Sequence, residues 1–201
     1  MPLTALALIG TLKASPEPSS SELLAHQILD ELRAHDVTGD LVRLVDLDIK
    51  PGVETDMGDG DEWPGLRDRL LKADILVVCT PIWMGQTPST THRLLERLDA
   101  ELSETTSDGT PTLFGKVAIV GVVGNEDGAH HVTAELFQAL NDVGFSVPAQ
   151  GGTYWVGEAM GSVDFKDLPK TPDAVADATA TAVRNAVHVA ELLQTSGYPA
   201  K

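Results

Sequence analysis

Short apolar segments alternate with amphipathic ones along the chain, and this pattern predicts five strands separated by helices. The first apolar run, Ala5 to Ile9, carries no charge, as is typical of a strand buried on both faces of a parallel sheet. Asp40 to Leu47 alternates imperfectly and is predicted to form a second strand, nearer an edge. The remaining strands are predicted at Asp74 to Thr80, Lys116 to Val123 and Phe145 to Ala149.

The intervening segments carry apolar residues three and four positions apart, the spacing of one face of a helix. Ser89 or Thr90 is predicted to cap the third helix, and Thr171 followed by Pro172 to open the last. Prolines and glycines predict a long irregular loop from Ile49 to Gly65. The predicted helices are marked by Leu24, Ile28 and Leu32; by Leu66 to Lys72; by Leu94, Leu95, Leu98 and Leu102; by Val132, Leu136, Leu140 and Val143; and by Val175, Ala178, Ala182, Val183, Ala186, Val187, Ala190 and Leu193.

Strands that alternate with helices predict an α/β fold, a parallel sheet covered by helices on both faces. Right-handed crossovers and a polar loop after the first strand indicate a doubly wound sheet of order 2-1-3-4-5, in one domain spanning residues 1–201. Such sheets bind ligands beyond the carboxyl ends of the strands, near the first and third. Unusual loops at residues 10–21, 81–88 and 124–128 follow predicted strands, so we expect them to meet at that edge.

Composition narrows the possible partners and location. The chain of 201 residues has a formal net charge of −16, which argues against nucleic acids and anionic membranes because both are polyanions. No stretch approaches the roughly 18 apolar residues of a membrane span, and the first apolar run lacks the basic segment of a signal peptide. The single cysteine, Cys79, excludes an internal disulfide and a multi-cysteine metal site. We therefore expect a soluble cytoplasmic protein.

The loop after the first predicted strand begins at Gly10 and combines one lysine with several hydroxyls. The N-terminus of a following helix attracts anions through free N–H groups and its positive dipole end, and hydroxyls donate without adding negative charge. The loop therefore predicts a phosphate site; the alternative is an ordinary turn in which one serine caps the helix. The candidate phosphate ligands are Thr11, Lys13, Ser15, Ser19, Ser20 and Ser21.

Common nucleotide-binding motifs do not account for this loop. The glycines of a G-x-G-x-x-G dinucleotide fingerprint are missing, and no G-K-[ST] occurs. A phosphorylated response-regulator switch needs an acidic pair after the first strand and an aspartate ending the third. Those places hold Gly10-Thr11 and Cys79-Thr80.

Three segments together resemble the flavodoxin-like NADPH-dependent FMN reductase family, including its quinone-reductase branch. They are G-T-L-K-A-S-(x)4-S-S-E-L-L from Gly10, C-T-P-I-W-M-G-Q-T-P from Cys79, and V-V-G-N-E-D-G-A-H-H-V from Val122. They occur in the family's order and spacing, and the resemblance spans about Leu3 to Trp155.

This resemblance implies a flavodoxin-like fold with FMN as cofactor, its phosphate on the first loop and its isoalloxazine ring across the second and third. We name no catalytic residue, because the cofactor carries the chemistry, and we assign no metal ligand. The residues implied for the ring are Pro81, Ile82, Trp83, Met84, Gly85, Gly124, Asn125, Glu126 and Asp127.

The implied reaction moves hydride from NAD(P)H to FMN and then to a small acceptor such as a quinone or free flavin, and family members usually form homo-oligomers. One alternative is a flavodoxin-type electron carrier, whose acidic surface would suit basic partners, although the first loop lacks the T-x-T-G-x-T form of carriers. Another is a regulatory relative that has lost FMN.

Several single residues allow two interpretations. Trp83 either stacks near the flavin or plugs the sheet edge, and the first is preferred; Tyr154 and Trp155 border either a nicotinamide pocket or a subunit contact. Cys79, on a buried strand, is interpreted as a small core residue. The pair His130-His131 has no companion ligands, which argues against a metal site, although one of them could border the ring.

Overall fold

The computed structural model describes residues 2–199, and a sheet of five parallel strands lies at its centre. The lateral order β2-β1-β3-β4-β5 confirms the predicted 2-1-3-4-5 arrangement, in which the first and third strands are neighbours. The strands are β1 (Thr4–Ile9), β2 (Thr38–Arg43), β3 (Ile75–Pro81), β4 (Val117–Gly124) and β5 (Gly152–Val156).

Five α-helices connect the strands and cover both faces of the sheet. Alternate residues of β1 point to opposite faces, so Leu6 and Leu8 join one apolar cluster and Ala5, Ala7 and Ile9 join the other. The first cluster is completed by α2 (Trp63–Lys72), α3 (Ser89–Leu98) and α4 (Ala129–Asp142), and the second by α1 (Ser20–Ala34) and α5 (Asp173–Thr195). None of the helices within residues 2–199 is long and apolar enough to cross a membrane.

The second strand is shorter than predicted. Pairing with β1 ends at Ile9 opposite Arg43, so the chain beyond Arg43 has no partner strand. Leu44–Asp46 turns into a single 3-10 turn instead, and the prediction of strand to Leu47 is wrong there.

The fifth strand lies later in the chain than predicted. Phe145 to Ala149 is not a strand, although Ser146 forms one isolated bridge with Val117. Pro148 has no N–H to give to a ladder, and the chain turns there, with Gly151 N–H donating to the Pro148 carbonyl. Regular pairing with β4 begins only at Gly152.

Helix boundaries differ from the predictions in four places. The loop predicted to reach Gly65 ends at Trp63, where α2 begins with Pro64 in its first turn. No side chain caps α3, and Leu102 lies in a 3-10 turn beyond that helix and is 61% exposed rather than facing the core. Helix α5 starts one residue later than predicted, after Pro172, and no side chain caps it; the Thr171 hydroxyl accepts a hydrogen bond from Gln27 (2.7 Å).

Candidate functional site

One cavity of about 360 Å³ opens at the carboxyl edge of the sheet, where the loops after β1, β3 and β4 meet. The edge is the one predicted, because β1 and β3 are adjacent and their connections leave in opposite directions. The cavity is lined by Thr11, Leu12, Lys13, Ser19, Ser20, Ser21, Pro81, Ile82, Trp83, Met84, Val123, Gly124, Asn125, Glu126, Trp155, Met160, Asp164 and Phe165.

The hydroxyl end of the cavity is formed by the loop that enters α1. Ser19 is the N-cap of the helix, and its side chain accepts a hydrogen bond from Glu22 N–H at 3.4 Å. One serine therefore does cap the helix, as the simpler interpretation required. Ser20 and Ser21 occupy the first two helical positions, where the partial positive charge of the helix end is concentrated.

Lys13 is the only lysine or arginine among the residues that line the cavity. It is exposed, and its ammonium forms no ion pair with any residue in the described range 2–199. Its main-chain N–H donates to the Thr11 hydroxyl at 3.2 Å, and Thr11 is buried. A positive charge and several hydroxyls thus share one end of a cavity in an otherwise acidic protein.

The second loop is a tight turn that carries two apolar side chains to the mouth of the cavity. Trp83 and Gln86 exchange main-chain hydrogen bonds of 2.9 and 3.0 Å. Between them Met84 and Gly85 both have positive φ, 52° and 74°, as a type I′ turn requires. Trp83 is 54% exposed and Met84 is 90% exposed, so both side chains stand free beside the opening.

The third loop is held close to the second. Ile82 N–H donates to the Val123 carbonyl at 3.0 Å. A β-carbon on Gly128, which has a φ of 133°, would stand 2.8 Å from the Cα of Gly85. Glycine is therefore required at position 128 for the two loops to approach each other.

A segment after β5 closes the remaining side of the cavity. Asn125 Nδ2 donates to Asp164 Oδ1 at 2.7 Å, and Lys166 N–H donates to the Ser20 hydroxyl at 3.2 Å. The Trp155 and Phe165 rings pack with centroids 5.6 Å apart. This segment therefore joins the hydroxyl end of the cavity to the loop after β4.

Residues 4–161 match the sequence pattern of the family described as NADPH-dependent FMN reductase. The chain belongs to this family. The match covers most of the chain and all three cavity loops, and it confirms the family that the sequence motifs resemble.

Two named proteins are similar to this chain over more than three quarters of its length. The chain is 36% identical over 169 residues to 8-demethyl-8-aminoriboflavin-5'-phosphate synthase of Streptomyces davaonensis, covering 79% of this chain and 65% of that protein. It is 40% identical over 161 residues to a Mycobacterium bovis protein named divalent metal cation transporter MntH, covering 78% of this chain but only 24% of that protein. The chain thus spans about two thirds of the length of the Streptomyces protein and about a quarter of the length of the Mycobacterium protein.

A solved structure extends the likeness beyond the cavity loops. The crystal structure of RosB with bound 8-demethyl-8-formylriboflavin-5'-phosphate superposes with a TM-score of 0.88 at 31% identity, covering 98% of this chain and 82% of that chain. Together with the strand order, this makes the fold flavodoxin-like.

The structure gathers the predicted site residues of this family member into one cavity, except for Ser15, Gly85 and Asp127. Ser15 faces Asp46, donating its hydroxyl to Oδ2 at 2.5 Å and its N–H to Oδ1 at 2.9 Å. These two hydrogen bonds lower the pKa of Asp46. Gly85 forms the turn beside the cavity, and the Asp127 carbonyl lies against it.

Several lining residues lie outside the predicted set. Trp155 stood between two interpretations, and it does border the cavity. Met160, Asp164 and Phe165 belong to the segment after β5, which carries no recognisable motif. The sequence could have indicated these residues only by their position, because a loop that follows the carboxyl end of a strand lies at the edge where ligands bind. The fifth strand was predicted too early in the chain, so this loop was not recognised as one that follows a strand. Leu12 and Val123 are neighbours of predicted residues.

The two adjacent histidines, Tyr154 and Cys79 do not line the cavity. His130 Nε2 and the Tyr154 hydroxyl are 3.1 Å apart, and His131 Nε2 lies 3.1 Å from Gln86 Oε1. Cys79 is fully buried in β3, and burial raises the pKa of its thiol, so it is a core residue rather than a nucleophile.

Proposed function

We propose that this protein is an FMN-binding oxidoreductase that passes hydride from NAD(P)H through FMN to a small acceptor such as a quinone or free flavin. The observation that carries the proposal is that one end of the cavity is polar and positively charged whereas the other end is apolar. One end has a lysine, hydroxyls and a helix N-terminus, and the other has exposed and half-buried apolar side chains. FMN has the same two parts, a charged phosphate and a flat, largely apolar ring.

The hydroxyl end fits a phosphate monoester. Thr11, Ser20 and Ser21 would donate hydrogen bonds, and Lys13 would supply the compensating charge. The Ser20 hydroxyl oxygen already accepts from Lys166 N–H, which leaves its own proton available for a ligand.

The apolar end fits the flavin ring. Ile82, Trp83 and Trp155 would exclude water from it, and a cavity of about 360 Å³ lies within the usual range of small-molecule sites. When bound, FMN supplies the hydride-transfer chemistry. The chain's residues would bind, orient and shield it, and we assign none of them a covalent or acid–base role.

A second candidate function follows from the similarity to RosB and to the Streptomyces synthase. The RosB structure holds a riboflavin phosphate modified at position 8, and the relative is named as a synthase of another such flavin. In a protein of that type the flavin phosphate is the substrate and leaves chemically changed. The same cavity would serve, because phosphate and ring are recognised in the same way.

Steady-state turnover separates these candidates. FMN-loaded protein is mixed with NADH or NADPH and with menadione or excess free FMN, and the nicotinamide oxidation is followed while the flavin mass is determined afterwards. Oxidoreductase function predicts many turnovers per flavin and an unchanged FMN mass. A converted flavin mass favours the second candidate, and no turnover with any small acceptor favours an electron carrier.

We also propose that the protein is a homo-oligomer. Trp83, Met84 and Met160 stand at the cavity mouth with 54%, 90% and 99% of their surface exposed, and apolar groups so placed favour association. Light scattering during size-exclusion chromatography measures the state directly. A monomer at all concentrations would contradict this part of the proposal.

A further inference from the structure

Arg43 is hydrogen-bonded to the loop between β1 and α1 but does not line the cavity. It is the last residue of β2 and is only 4% exposed. A buried guanidinium needs partners for its donors. Arg43 finds all of its described partners in two adjoining segments, the loop after β1 and the first turn of α1.

The Arg43 guanidinium donates hydrogen bonds to two main-chain carbonyls of this loop, four residues apart. Nη1 donates to the Lys13 carbonyl at 3.0 Å, and Nη2 donates to the Glu17 carbonyl at 2.7 Å. Arg43 therefore fixes the main chain directly at the one lining cation, Lys13. Carbonyl oxygens bonded to Arg43 are also kept from facing a bound anion, which they would repel.

Glu22 neutralises the charge of Arg43. Its carboxylate, in the first turn of α1, accepts from Nε at 2.8 Å and from Nη2 at 2.5 Å, a two-pronged pairing. The hydrogen bond from Arg43 lowers the pKa of Glu22, and the same bond raises the pKa of Arg43. The pair thus joins β2, the loop and α1 without contributing net charge to the cavity.

We propose that Arg43 is a positioning residue for phosphate recognition, holding the loop so that Lys13 and the hydroxyls of Thr11, Ser20 and Ser21 face a phosphate monoester. This inference rests on the proposed function, since it takes the loop to bind the FMN phosphate. It adds a residue that does not line the cavity, that lies more than twenty positions after the loop's last residue, Ser21, and that none of the loop motifs contains.

The test compares FMN with riboflavin, which has the same ring and lacks the phosphate. Dissociation constants for both are measured by quenching of flavin fluorescence, together with the unfolding temperature of each flavin-free protein. Arg43→Lys keeps the charge but loses the planar fork that reaches two carbonyls and a carboxylate. Because that variant leaves Glu22 incompletely paired, the double variant Arg43→Met/Glu22→Met removes the pair without leaving a buried charge, a change that proteins often tolerate.

Arg69→Lys is the matched control. Arg69 also pairs with a carboxylate, Asp40 at 2.5 Å, but this pair is exposed and neither residue lines the cavity. We expect both Arg43 variants to weaken FMN binding by about tenfold or more, equivalent to about 1.4 kcal/mol, with riboflavin binding changed by less than about twofold. Arg69→Lys should change neither constant.

Three results would overturn the inference. Equal losses for FMN and riboflavin would show a general structural role, and unchanged FMN affinity in a folded Arg43 variant would show no role. An equal loss of FMN affinity in Arg69→Lys would show that the effect is not local. Separately, a wild-type protein that binds riboflavin as tightly as FMN would overturn the phosphate site itself, and with it the proposed function.

Discussion

Gly10 and Thr91 lie so close together that a β-carbon on residue 10 would stand 1.9 Å from the Thr91 hydroxyl oxygen. Thr91 is fully buried, and its hydroxyl lies 2.9 Å from that of Thr80. The neighbouring Thr90 donates its hydroxyl to the Gly10 carbonyl at 2.7 Å. The first loop of the cavity is therefore anchored at its start to the N-terminus of α3, and the close approach requires glycine at position 10.

Replacing Gly10 by alanine should destabilise the protein. Both near atoms of Thr91 are buried and cannot move far, so we expect a loss of about 1–3 kcal/mol in the free energy of unfolding. Urea denaturation measures this loss. Gly65→Ala is the control, because position 65 lies in α2 with no atom within 4 Å of the added carbon. Gly65→Ala should be neutral or stabilising by up to about 1 kcal/mol, and equal stability of the two variants would contradict the account.

The bond between Asn125 and Asp164 should help to hold the segment after β5 against the cavity. Asp164→Ala leaves the half-buried Asn125 amide without this acceptor, and we expect a loss of about 1 kcal/mol of stability together with weaker FMN binding. Asp164→Asn keeps an oxygen that can accept the hydrogen bond, and it should retain most of the stability and most of the FMN affinity. Asp167→Ala, at an exposed residue bonded to Lys166, serves as a further control. Equal FMN binding by Asp164→Ala and Asp164→Asn would contradict the role assigned to this hydrogen bond.

Asp61 should make stability depend on pH below neutrality. Burial acts to raise the pKa of Asp61, but hydrogen bonds from the N–H groups of Met57, Lys50 and Trp63 and from Arg97 outweigh it, so the pKa falls from 3.8 to about 2. A carboxyl whose pKa is lower in the folded than in the unfolded state stabilises the protein at pH values above its unfolded-state pKa. This contribution disappears as the pH falls from about 4 to about 2. The contribution is about 2 kcal/mol.

The Asp61→Asn variant tests this linkage. It should unfold more easily at pH 7, because Arg97, fully buried beside Asp61, is left without its carboxylate partner; the cost is about 3–5 kcal/mol. The stability of the variant should also decline less steeply than that of wild type between about pH 4 and about pH 2. Asp59→Asn, at an exposed position in the same loop, is the control. Parallel pH profiles for wild type and Asp61→Asn would rule out the assigned role.

Cys79 should resist thiol reagents in the folded protein. Burial raises its pKa, and both burial and the loss of thiolate slow attack on a disulfide reagent. Labelling with a chromogenic disulfide at pH 8 should run at least about a hundredfold more slowly in native protein than in guanidinium. Rapid stoichiometric labelling of native protein would instead place the thiol at an accessible surface.

Much of the fold was predictable because the inner strands are continuous apolar runs. β1, β3 and β4 are buried on both faces, and their sequences show it directly. The fifth strand was misplaced because Phe145, Val147 and Ala149 are apolar, yet Pro148 and the turn that follows limit the pairing with β4 to one bridge, at Ser146. The carboxyl end of β2 was misjudged because its limit is set by the end of β1, a neighbour distant in sequence.

The cavity was predictable in part for a similar reason. Loops that follow adjacent inner strands must share one edge, so residues from the first, second and third loops were expected together and do line one cavity. Asp164 and Met160 were not predicted, because they follow the misplaced strand and carry no motif. Ser15 was assigned to the site by composition, whereas its actual partner, Asp46, lies on the segment after β2 and only the folded chain brings the two together.

The most direct test of the account is the visible spectrum of the protein after FMN is added and the excess is removed by gel filtration. Wild type is compared with Lys13→Ala/Ser21→Ala, which alters two residues of the hydroxyl end, and with Lys170→Ala/Ser107→Ala, at exposed positions outside the lining set. We predict flavin absorption bands in wild type and the control double variant, and retention lowered by about tenfold or more in Lys13→Ala/Ser21→Ala. A colourless wild-type protein, or equal flavin retention by all three proteins, would contradict the assignment of the cavity to FMN.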